Sequence, residues 1–205
     1  MTTYCLIRHG FTDWLEQEIL HGISDRPLSK FGRQQAAATA EYMRGKKVDR
    51  IYTSPLMRCR ETADAVGSAL ALKPIIVENL KEENYGVLEG RRDWWPVIKK
   101  RPAIIPFYTF FRTTISTLTG EPVWQFKKRV VAAWEDIKSK NPSGSVVIIA
   151  HSGVLRNILI KEFGGKRSQF SLTLSSVTQI EIHADSSAKM IDLNHSNHLP
   201  GDNFL

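Results

Sequence analysis

The chain has 205 residues, of which 42% are hydrophobic and 24% charged. That is enough for one sizeable core and too few for several large domains, and no run approaches the ~18 apolar residues of a membrane span. The 28 basic and 21 acidic residues leave a net charge of +7; this surplus is compatible with an anionic partner, while the ordinary mix of residues argues against disorder, collagen or coiled coil.

The pattern alternates β-rich apolar runs with helical stretches, which predicts an α/β fold. Tyr4–Ile7 reads as a first buried strand. Ser29 caps a helix running to about Arg44, and Val48–Thr53 reads as a second strand. Ser54-Pro55 then reads as a cap with proline in the first helical position. Behind it Leu56, Cys59, Ala63, Val66 and Leu70 form one apolar stripe at helical spacing. Pro74–Val77 is the third expected strand. Pro122 opens a helix whose stripe is Phe126, Val130, Trp134 and Ile137, ended by Asn141-Pro142. Val146–Ala150 is the fourth strand, and a helix follows from about Gly153 to Phe163, stopped by Gly164-Gly165. Val177–His183 and Lys189–Leu193 read as a late hairpin. Near-continuous Val and Ile in the strands predict a sheet covered on both faces.

Residues 91–119 break this rhythm. They carry Trp94, Trp95, Phe107, Tyr108, Phe110 and Phe111 with three prolines, and the densest basic cluster, Arg91-Arg92 with Lys99-Lys100-Arg101. The segment reads as a small cap inserted into a single domain spanning 1–205, serving either as core packing or as a face toward substrate. Two cysteines, Cys5 and Cys59, form no disulfide framework, and the N-terminal residues lack the basic start and apolar stretch of a signal peptide. The expectation is a cytoplasmic protein with no membrane partner. Cys59 lies on an apolar stripe and reads as inert packing. His183, His195 and His198 lack ligand spacing, so no metal and no cofactor is expected. Nucleic-acid binding would rest on net charge alone and is not expected.

Chemistry gathers at strand ends. The first strand runs into Arg8-His9-Gly10 and the fourth into His151-Ser152-Gly153. Arg58 follows the second, and a loop with Glu82, Glu83 and Glu89 follows the third. In an open α/β sheet, carboxyl ends of strands collect functional groups. A neutral imidazole is a competent nucleophile at pH 7, arginine forks match phosphoryl oxygens, and a carboxylic acid can protonate a departing alkoxide. This is a set of groups for phosphoryl transfer through histidine.

The sequence resembles the histidine phosphatase superfamily, in its phosphoglycerate-mutase-like branch. The resemblance lies in five ordered blocks: residues 6–12 around Arg8-His9-Gly10, residues 22–36, residues 54–63 around Arg58, residues 80–90 around Glu82, and residues 151–156 beginning at His151. It implies a three-layer α/β/α fold with a mostly parallel central sheet. It implies His9 as nucleophile, Arg8, Arg58 and His151 holding phosphoryl oxygens, and Glu82 as general acid and base. Glu83 and Glu89 stand close enough in the chain to compete for that last role. Thr12, His21, Gly22 and Ser152 would line the pocket and bind substrate. The implied partner is a small phosphorylated substrate; the resemblance leaves the oligomeric state open, a homodimer included. The mutases carry Glu and Asn where this chain has Phe11 and Leu15, and Gln where it has Glu89. These departures favour a phosphatase over a phosphoglycerate-type mutase or a non-catalytic phospho-ligand binder. Phe11, Trp14 and Leu15 beside an aromatic insert suggest an apolar rim and a partly hydrophobic phosphomonoester.

Overall fold

The structure, a computed structural model, describes residues 1–98 and 100–201. Lys99 of the basic cluster and the side chains of Trp95, Pro96 and Pro102 lie outside what the structure describes. Six strands form one mixed sheet: β1 (Thr2–Arg8), β2 (Arg50–Thr53), β3 (Ile75–Ile76), β4 (Gly144–Ala150), β5 (Val177–Ile182) and β6 (Ala188–His195), in the order β3-β2-β4-β1-β5-β6. The first four strands in that order run parallel, β5 is antiparallel to β1, and β6 is antiparallel to β5.

Because side chains alternate across a strand, each central strand serves two cores. Tyr4, Leu6, Val146, Ile148 and Ala150 face one layer, where α6 (Val123–Lys140) supplies Phe126, Val130, Trp134 and Ile137, and α7 (Ser152–Phe163) supplies Val154, Leu155, Ile158 and Leu159. Cys5, Ile7, Val147 and Ile149 face the other, against Ala40 and Met43 of α2 (Lys30–Met43) and Cys59, Ala63 and Val66 of α3 (Met57–Leu70). This two-sided burial explains the unbroken apolar runs. Each fully buried Ile, Val or Leu contributes roughly 1.5–3 kcal/mol of transfer free energy.

Several details differ from expectation. The third strand shortens to two residues, and Ile75 and Ile76 are exposed because β3 is an edge. α3 starts at Met57 with Leu56 as its N-cap; Ser54 does not cap it. The stretch before Pro122 holds more helix than its prolines suggest. A short α1 (Asp13–Glu16) precedes α2, a one-turn α4 (Trp95–Ile98) opens the insert, and α5 (Ile105–Thr119) fills its second half. Pro106 is tolerated in α5 because it sits in the first turn, where its missing N–H has no intrahelical partner.

Candidate active site

Register builds the centre of the site. β1 and β4 pair with Arg8 opposite Ala150, and the His9 N–H donates to the Ala150 carbonyl at 3.0 Å. His9 and His151 therefore leave the sheet side by side, their ring centroids 5.1 Å apart. His9 Nδ1 lies 2.8 Å from the Gly10 carbonyl oxygen. A carbonyl only accepts, so Nδ1 carries the proton and Nε2 keeps a free lone pair. Burial, and then the positive charges of Arg58 and Arg8, hold the His9 imidazole well below its ordinary pKa. It is neutral at pH 7.

His151 is also neutral, held down by burial and Arg58. Its Nε2 lies 2.8 Å from Ser54 Oγ. That hydroxyl oxygen also accepts the Leu56 N–H at 3.4 Å. Ser54 was read from sequence as a helix cap; the structure turns it to the histidine instead. Cys59 Sγ also touches His151, 3.4 Å from Nε2. Burial pushes this thiol up to about 12, so it stays protonated and packs without reacting.

The two arginines are held from behind. Arg58 Nη1 donates to the Ser24 carbonyl at 2.9 Å and Nη2 to the Gly22 carbonyl at 2.7 Å. Arg8 Nη1 donates to the Leu172 carbonyl at 2.7 Å. In both, Nε is buried and has no protein partner. Orphaned buried donors on a cation are costly, so their persistence at one site points to an anionic ligand. Burial lowers both guanidinium pKa values, Arg8 to about 10, and both remain charged at neutral pH.

Glu82 comes from the loop after β3. Its Oε1 accepts the Glu83 N–H and its Oε2 the Gly153 N–H, both at 3.0 Å, which sets it at the N-terminal turn of α7 beside His151. The other two candidates point elsewhere. Glu89 is spent on scaffolding: Oε1 accepts the Ile23 and Tyr85 N–H groups, and Oε2 accepts the Ser24 N–H and hydroxyl. Glu83 is buried, and burial together with the neighbouring Glu82 charge raises it to about 6. It lines a cavity of about 590 Å³ with Tyr85, Arg112, Arg156 and Arg167.

Of the remaining candidates, Thr12 and His21 share a hydrogen bond of 2.7 Å. His21 Nδ1 faces the Ile19 carbonyl at 3.0 Å, so Nε2 accepts the Thr12 hydroxyl hydrogen. Burial and Arg58 lower His21 to about 3. Gly22 takes φ +55, and a β-carbon there would meet Glu89 Oε1. Ser152 occupies the first position of α7, half-buried between His151 and Gly153. The three residues of the expected apolar rim are placed differently: Phe11 is buried, while Trp14 and Leu15 are partly exposed. The Phe11 ring lies 6.0 Å from that of Phe31, and Trp14 packs against His21 under the Arg26 guanidinium. Sequence reasoning also missed Arg129, which clamps the Glu82 loop. It donates to the carbonyls of Asn79, Lys81 and Glu82 and pairs with both oxygens of Glu121. Its signal was faint: neither Arg129 nor Glu121 falls in any of the five blocks that carry the resemblance. Among the described residues, no group of three His, Cys, Asp or Glu side chains is placed to hold a metal ion.

The sequence profile of the histidine phosphatase superfamily (branch 1) matches residues 4–194. An uncharacterized phosphatase, PhoE, from Bacillus subtilis is 30% identical over 204 residues, 98% of each chain. A metal-independent phosphoserine phosphatase from Arabidopsis thaliana is 30% identical over 167 residues, covering 78% of this chain and 68% of that one. Among solved structures, YhfR of Bacillus stearothermophilus superposes with a TM-score of 0.82 at 25% identity, covering 98% of this chain and all of that one.

Proposed function

The chain belongs to the histidine phosphatase superfamily (branch 1), and we propose that it hydrolyses phosphomonoesters through a phosphohistidine formed on His9, with Glu82 as general acid and base. The observation that carries this is the pair of buried, unpartnered Nε–H groups on Arg8 and Arg58, whose charges bear on a neutral His9. A phosphoryl group supplies the acceptors those donors lack.

In the first step, the His9 Nε2 lone pair attacks phosphorus and the ester P–O bond breaks. The Nδ1–H bond to the Gly10 carbonyl stabilises the cationic ring that forms. Glu82, in its protonated form, gives its proton to the departing oxygen. In the second step, its carboxylate takes a proton from water as that water attacks phosphorus. The P–N bond breaks, its electron pair returns to Nε2, and inorganic phosphate leaves. Arg8, Arg58 and His151 face the charge that spreads over the phosphoryl oxygens. Thr12, His21, Gly22 and Ser152 shape the wall around it. No step draws on a metal, because the guanidinium groups provide the positive charge.

The insert 91–119 forms one wall of the neighbouring cavity through Tyr108, Arg112 and Ser116 of α5. With Arg156 and Arg167 opposite, that wall favours a small, polar substrate over the hydrophobic one suggested by sequence. Phosphoserine, named for the Arabidopsis relative, is a suitable member of a test panel.

The test is to trap the intermediate. Quenching turnover in alkaline detergent should yield an acid-labile, base-stable phosphoenzyme, absent in His9→Ala, whose kcat should fall about 10³-fold or more. Glu82→Gln should slow alkyl phosphates by ~10²–10⁴ while sparing aryl phosphates, whose leaving groups need no proton. Equal losses on both would remove Glu82 from the acid role. Steady interconversion of 2- and 3-phosphoglycerate without phosphate release would instead identify a mutase.

A further inference from the structure

Helix α5 is inside out. At about 100° per residue, Tyr108, Arg112 and Ser116 share one side, and that side lines the cavity. The opposite side carries Phe107, Phe110, Phe111 and Leu118, exposed by 75%, 72%, 51% and 78%. Ile104 just before the helix, and Trp94 and Val97 in the same insert, are exposed as well. Among the described residues, every exposed phenylalanine lies on this one helix. A surface helix normally buries its apolar stripe, and a continuous apolar face of this kind marks an interaction surface.

Charge says which partner fits. Residues 91–119 contain six basic residues and one acidic, a net +5 out of the chain's +7. Arg91, Arg92, Lys100 and Arg101 are exposed, and the Arg92 guanidinium lies 5.3 Å from the exposed Trp94 ring. We propose that the outer face of α5 and its basic flank dock on an anionic lipid bilayer. Phenylalanine, tryptophan and leucine enter the headgroup boundary while lysine and arginine meet its negative charge. A second copy of the chain is disfavoured, since pairing this face with itself would bring two +5 segments together. A single-stranded nucleic acid is disfavoured too, because Ile104, Val97 and Leu118 offer aliphatic surface that does not stack on bases. No helix among the described residues is long and apolar enough to cross a membrane, but docking requires no crossing. The sequence-based expectation of no membrane partner changes accordingly.

The experiment is co-sedimentation of the full chain with vesicles. One set is phosphatidylcholine alone; the other contains about one-third phosphatidylglycerol. Binding should be at least tenfold tighter to the anionic set and weaken with added salt. Phe107→Ser, Phe110→Ser and Phe111→Ser combined should abolish it, with turnover of a soluble aryl phosphate within about twofold of the parent. That activity also reports that the variant is folded. Three results would overturn the proposal: equal binding to both vesicle sets or to neither, retention of anionic-vesicle binding by the triple variant, or a concentration-dependent dimer that the triple variant dissolves. Displacement of vesicles by a single-stranded oligonucleotide, lost in the same variant, would reassign the face to nucleic acid.

Discussion

A β-carbon on Gly153 would lie 2.1 Å from Glu82 Oε1 and 3.1 Å from Oε2. Glycine at this place is therefore a condition for the carboxyl group to reach the N-terminal turn of α7. Gly153→Ala should push Glu82 aside while leaving His9 in place. The expected result is a ~10–10²-fold loss of kcat on alkyl phosphates and a much smaller loss on aryl phosphates, read by steady-state kinetics. Equal losses would mean that the substitution disturbs His151 or the fold instead. At this scale the sequence was readable in placement: Arg8, His9, Arg58 and His151, marked by their motifs, lie together in the fold. It was ambiguous among Glu82, Glu83 and Glu89, because register along a loop decides which carboxyl enters a site. The structure separates them by partners: Glu89 is saturated by the backbone and hydroxyl of residues 23, 24 and 85, whereas Glu82 meets α7. Ser54 was misread for a related reason. A Ser-Pro pair looks the same whether the hydroxyl caps a helix or serves a histidine 97 positions away.

Elements rather than motifs hold Glu82 in place. Arg129 projects from α6 and fixes three successive stretches of the loop through the Asn79, Lys81 and Glu82 carbonyls, while Glu121 fixes Arg129 in a two-pronged pair. The loop can then deliver Glu82 without a strand or helix of its own. Arg129→Ala should lower kcat more than it raises KM, by roughly tenfold, and should steepen the dependence of rate on leaving-group pKa. Arg129→Lys should rescue little, since an ammonium cannot span two carboxylate oxygens and three carbonyls at once. A uniform loss across all leaving groups would show a merely structural role. The long, periodic elements α2, α3, α6 and α7 were legible because each carries a stripe matched to a buried face. β3 and α5 were not. A two-residue edge strand has too few residues to show a period, and α5 puts its apolar residues outward, where hydrophobicity signals burial that does not occur.

Across the whole molecule, the site imposes a pH limit on stability. His9, His21 and His151 remain neutral in the fold well below the pH at which a free imidazole protonates, because burial and the nearby arginines oppose the charge. The unfolded chain binds those protons once pH falls below ~6.5, and the folded chain does not. Stability should therefore fall as pH drops from ~6.5, by roughly 1.4 kcal/mol per pH unit for each histidine. Glu83 works the other way: its pKa is raised to about 6 in the fold, so the folded form takes up a proton first and offsets one of the three slopes between about pH 6 and 4.5. Thermal unfolding midpoints should decline between pH 6.5 and 5, and the decline should shrink in His21→Gln. A midpoint that stays flat over this range would contradict three neutral histidines. The α/β class and the clustering of chemistry at strand ends followed from periodicity and short motifs, and the mostly parallel sheet from the family resemblance. The covering of β1 by the late hairpin did not, since strand order between distant segments leaves no local mark.

The position of β1 has a consequence for synthesis. It lies between β4 and β5, so both of its hydrogen-bonding neighbours come from beyond residue 143. During synthesis His9 therefore precedes both strands that flank β1, and neither hydrogen-bonding neighbour exists until residues beyond 143 are made. His151 arrives with the strand that closes the gap. His9 and His151 come together only once β4 has paired with β1, so a chain stopped before residue 144 should not handle phosphate esters.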